Sequence, residues 1–175
     1  FTLDDILYTL KSRRGSLPLK LESSVKKSPE GIYFYAPSAN PINLMDFTGE
    51  EFLRLLEEVK SSGLFDEIVL DTDIFPSVWM LEGLKEADDI WLVADGTAAS
   101  AEKYGKFQEF ITALEKKYQL RIFPKMKIFY NKYSSKTGIP IENCGLEIGG
   151  GCPRYEGMDE KTIMKKMANS NAFTK

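Results

Sequence analysis

The stretch IWLVADGTAASAEKYGKFQEFITALEKKYQLRIFPKMKIFY (residues 90–130) decides the fold, because it reads as a strand, a long helix and a second strand. Residues 90–93 and 126–130 are short apolar runs, as in buried strands. Between them, apolar residues recur at helical spacing, at Phe107, Phe110, Ile111, Leu114 and Tyr118. A helix of this length between two strands is typical of the right-handed crossover that joins neighbouring parallel strands.

Strands and helices alternate along the rest of the chain as well. Apolar runs predict further strands at residues 31–36, 68–71 and 146–148. Capping residues and apolar periodicity predict helices that begin near Thr2, Thr48, Ser77 and Asp159. Residues 17–30 are expected to form a loop. The sequence therefore predicts an α/β fold with a mostly parallel sheet flanked by helices.

The segment at residues 68–71 is predicted to be a buried strand of this sheet. Its first three residues, Ile68, Val69 and Leu70, are all apolar. Strands that read as apolar on both faces are typical of parallel sheets covered by helices on both sides.

Composition excludes several classes of chemistry. Of the 175 residues, 43% are hydrophobic and 28% are charged, which fits one packed domain. The absence of histidine excludes Ser-His-Asp catalysis, Cys-His catalysis and histidine-based zinc sites within these residues.

Cys144 and Cys152 lack CxxC spacing, so ordinary thiols in a reducing cytoplasm are expected. The net charge of −3 disfavours nucleic acid as a partner. Without an apolar run of membrane-spanning length, the chain is predicted to be soluble.

The last predicted helix carries Lys161, Lys165 and Lys166 beside the apolar residues Ile163 and Met164. Such a helix lies either on a membrane surface or against the protein. The apolar face is narrow and lacks aromatic anchors, which favours packing against the protein.

Polar residues follow the predicted strands at the edge where an open parallel sheet binds ligands. Asp71 is placed to hold the water shell of Mg²⁺ opposite nucleotide phosphates, or else is a loop carboxylate or helix cap. For Asp73 a helix cap is favoured. Asn131 carries an amide that can pair with an adenine edge. Glycines 149–151 either line a pocket or form a flexible turn. The sequence contains no GxxxxGK[ST] phosphate loop.

Three segments resemble the ParA/MinD superfamily of deviant P-loop ATPases. They are FDEIVLDTD at residues 65–73, ADDIWLV at residues 87–93 and IFYNK at residues 128–132. The resemblance implies a P-loop NTPase fold of the ParA/MinD type that binds ATP and Mg²⁺ and hydrolyses ATP slowly.

The same resemblance implies roles for individual residues. It gives the Mg²⁺ ion and the catalytic acid to Asp71, with Asp73 beside it. It gives the adenine to Asn131, which Lys132 follows. The loop that closes over the base would contain Pro153 and Arg154.

The leading part of the chain resembles the CpaE/TadZ branch of the superfamily, through LDDIL at residues 3–7, GIYFYAP at residues 31–37 and Pro41. Members of this branch assemble and localise pili. The resemblance implies a cytoplasmic homodimer at the cell pole that acts with pilus or secretion assembly proteins. Nucleic acid is not expected as a partner, and membrane association is expected to be indirect at most.

In this interpretation, residues 1–175 are the C-terminal part of one ATPase domain. The phosphate loop is expected upstream of Phe1, in some members behind a receiver-like domain, and hydrolysis would require it. Thr72 and Asp73 stand where the family has a proline after the acid, so a non-catalytic scaffold of the same fold is one alternative. A ParA-like segregation ATPase that binds DNA is another.

Overall fold

The computed structural model describes residues 2–40, 42–72, 77–134, 138 and 145–169. The chain divides into two compact units, Phe1–Gly83 and Leu84–Lys175. The division falls within a helix, and each unit has a hydrophobic core of its own.

The first unit is mainly helical. Its elements are α1 (Leu3–Ser12), α2 (Leu17–Ser24), β1 (Val25–Lys27), β2 (Tyr33–Tyr35), α3 (Ile42–Met45), α4 (Gly49–Ser61) and the first part of α5 (Val78–Glu86). The predicted helix starts at Thr2 and Thr48 are confirmed by reciprocal caps. The Asp5 carboxylate accepts from the Thr2 backbone N–H at 2.8 Å, and the Glu51 carboxylate accepts from the Thr48 N–H at 3.0 Å.

The core of the first unit lies where α1, α2 and α4 meet. Ile6 and Leu10 of α1 and Leu17 and Leu21 of α2 are buried, and Leu55 of α4 packs against them. These positions are the apolar stripes of amphipathic helices, so burial of the stripes holds the three helices together.

The prediction of a loop at residues 17–30 is wrong, because this stretch contains α2 and β1. Ser16 is the N-cap of α2, and its side chain accepts from the Leu19 N–H. Pro18 lies in the first turn of the helix, where a missing N–H costs nothing. The proline therefore marks the start of a second helix rather than only the end of the first.

Two predicted strands of the first unit also differ from the structure. Residues 68–71 form no strand, and Val69 is 85% exposed. The sheet in the described part of the first unit is the antiparallel pair β1–β2, and residues 68–71 are not one of its strands. The strand predicted at residues 31–36 is confirmed at β2, but Tyr33 and Phe34 are each 46% exposed, so it is not buried.

The second unit confirms the α/β fold with a parallel sheet flanked by helices. Its elements are β3 (Ile90–Ala94), α6 (Ala98–Tyr118), a 3₁₀ turn (Phe123–Lys125), β4 (Met126–Tyr133), β5 (Glu147–Pro153) and α7 (Glu160–Ala168). The strand order is β3-β4-β5, and both neighbouring pairs are parallel.

Helix α6 covers one face of this sheet. Ile111 of α6 and Ile128 of β4 are both fully buried. Burial alternates along β3, where Leu92 is buried while Trp91 and Val93 are 43% and 59% exposed. The periodicity of residues 107–118 therefore predicted the covering helix correctly.

The last two elements correct the sequence prediction. The glycine run at residues 149–151 lies inside β5, so the flexible-turn alternative is wrong. Asp159 caps α7 as predicted, because its side chain accepts from the Thr162 N–H. No residue of α7 is fully buried, but Ile163 and Met167 are half-buried, so the helix packs against the protein in part. No helix in the described part of the chain is long and apolar enough to cross a membrane.

Candidate functional site

The carboxyl ends of β4 and β5 are irregular in a way that shapes a site. The pairing passes from Tyr130 opposite Gly151 to Tyr133 opposite Pro153, so two residues of β4 face a single residue of β5. One of those two, Lys132, has a φ of +58°, which is unusual for a residue with a side chain. Such a β-bulge bends the strand and redirects its side chains.

The two residues of the bulge are Asn131 and Lys132, and Cys152 faces them from β5. The Cys152 thiol donates a hydrogen bond to Oδ1 of Asn131 at 3.0 Å. Cys152 is 3% exposed, and Asn131 is half-buried. The bulge therefore brings a predicted base-binding amide into direct contact with a buried thiol.

A cleft of about 690 Å³ lies at this end of the two strands. Its lining residues come from β4, β5 and the segments that follow them: Tyr130, Tyr133, Ser134, Ile148, Gly150, Gly151, Cys152, Pro153, Arg154 and Glu156. Pockets for small organic ligands have volumes in this range. Asn131 is not one of the described residues that line the cleft. Its side chain is linked to the cleft by the hydrogen bond from Cys152, which does line it.

Glycine at residue 151 is required by the close approach of the two strands. A Cβ there would lie 3.0 Å from the carbonyl oxygen and 3.1 Å from the Cβ of Tyr130. Gly150 has a φ of +149°, which a side chain would strain. The two residues thus leave bare backbone along the cleft wall.

The side chain of Tyr133 joins the loops that follow β3 and β4. A Cβ on Gly96 would lie 2.6 Å from its ring, so the ring rests directly on that glycine. Its hydroxyl donates to the carbonyl oxygen of Gly138 at 3.4 Å, and its ring lies 5.3 Å from that of Tyr130. One wall of the cleft is therefore aromatic.

Pro153 and Arg154, the predicted base-closing residues, line the cleft and are exposed. The Arg154 N–H donates to the carbonyl oxygen of Tyr133 at 3.0 Å, which fixes the backbone there. The guanidinium lies 3.8 Å from the Glu156 carboxylate, and both side chains are largely exposed. Exposed ion pairs contribute about 0–1 kcal/mol, so Arg154 can exchange this partner for another anion at little cost.

Asp71, the predicted metal ligand and catalytic acid, lies in the first unit and is exposed. Asp73 lies outside the described residues. Within the described ranges, no three carboxylate, cysteine or histidine groups form a cluster that could hold a metal ion. A Mg²⁺ site that uses one or two carboxylates and substrate phosphates remains a prediction for Asp71.

Three residues of the site were missed by sequence reasoning. In the sequence, Tyr130 and Tyr133 were interpreted only as residues of a strand. Their position at the carboxyl end of β4, where parallel sheets bind ligands, could have indicated that they line the cleft. Cys152 was treated as an ordinary thiol, because only the bulge in β4 sets it against Asn131.

Three parallel strands, with a helix connecting β3 and β4 and a cleft at the carboxyl ends of β4 and β5, define a class of open α/β sheets. Within that class, the chain shares the fold of the ParA and MinD ATPases. The structure of a ParA family ATPase from Chlorobium tepidum TLS matches 95% of this chain with a TM-score of 0.69 at 17% identity. MinD of Aquifex aeolicus matches 96% of the chain in its complex with MinC, with a TM-score of 0.66 at 17% identity. Another structure of that MinD matches 86% of the chain, with a TM-score of 0.59 at 18% identity.

The chain spans only part of these proteins, namely 64% of the ParA family ATPase and 68% and 59% of the two MinD chains. No protein-family model matches the sequence, and no curated protein matches it significantly. The similarity therefore establishes the fold.

Proposed function

We propose that this chain forms the base-binding side of an ATP-binding switch protein of the ParA/MinD type. The observation that carries the proposal is the cleft at the carboxyl ends of β4 and β5, which Pro153 and Arg154 line and whose lining residue Cys152 donates to Asn131. ParA and MinD ATPases have the same fold.

The cleft has the chemistry of a purine site. The rings of Tyr130 and Tyr133 offer flat apolar surfaces, and Gly150 and Gly151 leave backbone that a planar base can approach closely. The Asn131 amide supplies the donor and acceptor that an adenine edge requires. Lys132 and Arg154 are the cations nearest to the phosphates of such a ligand in this proposal.

Mg²⁺ would accompany the nucleotide and neutralise the charge of its phosphates. Asp71 is the carboxylate proposed to bind it, directly or through water, and Asp73 is proposed to share this role. Exposure of Asp71 fits a group that completes its coordination only when phosphates are present. Slow ATP hydrolysis would further need a phosphate-binding loop, which we propose the complete protein supplies.

ATP binding is proposed to switch a homodimer. A nucleotide that binds the dimer more tightly than the monomer shifts the population towards the dimer, and hydrolysis reverses the shift. MinD of Aquifex aeolicus was solved together with MinC. By analogy, a partner protein would recognise the dimer of this chain.

We further propose that the partner belongs to a pilus or secretion assembly machine at the cell pole. The support is the resemblance of residues 3–7 and 31–37 to the CpaE/TadZ branch. These two segments lie in α1 and around β2, and the Leu3 N–H donates to the carbonyl oxygen of Ala36 at 2.9 Å. A fluorescent fusion of the complete protein should gather at one pole, and Asp71→Ala should spread it evenly.

The binding proposal is tested by calorimetric titration of Mg·ATP into the complete protein. Asn131→Ala should weaken ATP binding about tenfold or more, because a bidentate amide pair contributes about 1–3 kcal/mol. The matched control is Asn169→Ala, which changes an exposed asparagine at the end of α7. Equal losses in both variants, or none in either, would contradict the role of Asn131.

The metal assignment has its own matched pair. Asp71→Ala should weaken ATP binding in Mg²⁺ but not in EDTA, whereas Asp46→Ala, at an exposed position, should change neither.

Tight ATP binding without turnover would favour the non-catalytic scaffold. Salt-sensitive binding of random duplex DNA would favour the segregation ATPase.

A further inference from the structure

We propose that Cys152 is a positioning residue that gives the nucleotide site its preference for adenine, an inference that rests on the proposed function. Its thiol donates to Oδ1 of Asn131 at 3.0 Å. That hydrogen bond favours the orientation of the amide in which the oxygen, and not the NH₂ group, faces the thiol. Cys152 thereby controls the pattern that Asn131 presents to a base.

The orientation of this amide matters because its two ends have opposite hydrogen-bonding character. An amide oxygen has two lone pairs, and the Cys152 thiol occupies one of them. The other lone pair remains for the exocyclic N6 amine of adenine, while Nδ2 donates to N7. Guanine carries an acceptor, O6, in place of the amine, so it would meet the amide oxygen with like polarity.

Burial makes the weak thiol donor effective. Cys152 is 3% exposed, so water does not compete strongly for the S–H group. The bulge at Asn131 and Lys132 places both residues of β4 opposite Cys152 alone. If the amide turned over, Nδ2 would donate to the sulfur, which is a weak acceptor, and the S–H bond to the amide oxygen would be lost.

The position of Cys152 links Asn131 to the bound base. Cys152 itself lines the cleft, next to Gly151 and Pro153 of the same strand. A change at residue 152 is therefore expected to alter base selection more than phosphate or metal binding.

The first test measures the hydrogen bond without any nucleotide. In the infrared spectrum of the complete protein, the S–H stretching band that is lost in Cys152→Ser belongs to this thiol. Asn131→Leu removes the acceptor and should move that band to higher frequency. An unmoved band would show that the thiol does not donate to Asn131 and would overturn the proposal.

The second test measures base selection by titrating Mg·ATP and Mg·GTP into the wild type and three variants. Cys152→Ala and Cys152→Val, which lack a donor, should lower the ratio of ATP to GTP affinity about tenfold. Cys152→Ser restores a donor and should keep the ratio within about twofold of wild type. Ala is smaller and Val is larger than Cys, so an equal effect of both variants separates loss of the donor from a change in packing.

The outcomes separate this proposal from the proposed function. An equal ratio in the Ser and Val variants, with ATP still bound, would overturn the role of Cys152 and leave ATP binding intact. A wild-type protein that binds neither nucleotide would overturn the proposed function and base selection together. The infrared band would then still report whether the hydrogen bond exists as a structural contact.

Discussion

Among the residues that the structure describes, Asp4 has the most strongly shifted pKa. Hydrogen bonds from the Asn43 side chain, the Ser38 hydroxyl and the Ala39 backbone N–H lower the pKa of its carboxyl from 3.8 to about 2. The Asn43 amide donates at 2.8 Å and the Ala39 N–H at 2.7 Å. Asp4 lies in the first turn of α1, and the three donors belong to the chain after β2. One carboxylate therefore ties this helix to that loop.

Asp4 should give the first unit an acid-dependent stability. Because the folded pKa lies below the unfolded value, the charged carboxylate contributes fully above about pH 4, and its contribution is lost as pH falls towards about 2. Asp4→Asn should reduce the loss of stability over that range, measured by urea unfolding at several pH values. Asp46→Asn, an exposed carboxylate outside this network, is the control. An unchanged pH dependence in Asp4→Asn would contradict the assignment.

Replacing a glycine by alanine is expected to change the stability of the protein in opposite directions at Gly151 and at Gly105. Gly151→Ala should destabilise the protein by about 1–3 kcal/mol, because the added methyl meets the Tyr130 backbone in the paired strands. Gly105→Ala should stabilise it by about 0.5–1 kcal/mol, because residue 105 lies within α6 and a Cβ there meets no atom within 4 Å. Chemical denaturation measures both. Equal effects of the two variants would rule out close strand approach as the reason for Gly151.

At the scale of elements, a lysine closes the end of α5. The ammonium of Lys125, in the 3₁₀ turn before β4, donates to the carbonyl oxygens of Lys85 at 2.9 Å and Ala87 at 2.8 Å. The last carbonyls of a helix have no partners within the helix, and a cation there also interacts favourably with the helix dipole. Lys125 thus connects the end of α5 with the start of β4.

Lys125→Met should therefore cost about 1–3 kcal/mol and speed amide hydrogen exchange in the last turn of α5. Methionine keeps most of the aliphatic length and removes the charge. Lys103→Met, at an exposed position of α6, is the matched control and should have little effect. Slower or unchanged exchange in α5 would show that the lysine is not its cap.

Sequence patterns predicted the elements whose signals are local. The cap at Thr48 and the apolar stripe of α4 were sufficient for that helix, as were Phe107 and Ile111 for α6. Residues 68–71 were predicted wrongly, because an apolar run reports only that a segment can be a strand and not that a neighbouring strand is available to pair with it. The loop predicted at residues 17–30 was wrong because Pro18 begins a helix there, and a proline can begin a helix as well as end one.

In the candidate site, too, some residues were predicted from local sequence and others depend on how two strands pair. Asn131, Pro153 and Arg154 were predicted from strand ends and from the family resemblance, and the structure brings them to one end of β4 and β5. The contact of Cys152 with Asn131 depends on a bulge with one residue at positive φ. No periodicity in the sequence reports such a bulge, since it arises from the pairing of two strands.

At the scale of the whole molecule, we propose that ATP binds at the carboxyl ends of β4 and β5. The most direct measurement is photolabelling of the complete protein with 8-azido-ATP in Mg²⁺, followed by mass spectrometry of the labelled peptides. We expect the label to lie within residues 130–134 or 150–156, and we expect an excess of ATP to prevent labelling. Label elsewhere in the chain, or label in these segments that excess ATP does not prevent, would contradict this proposal.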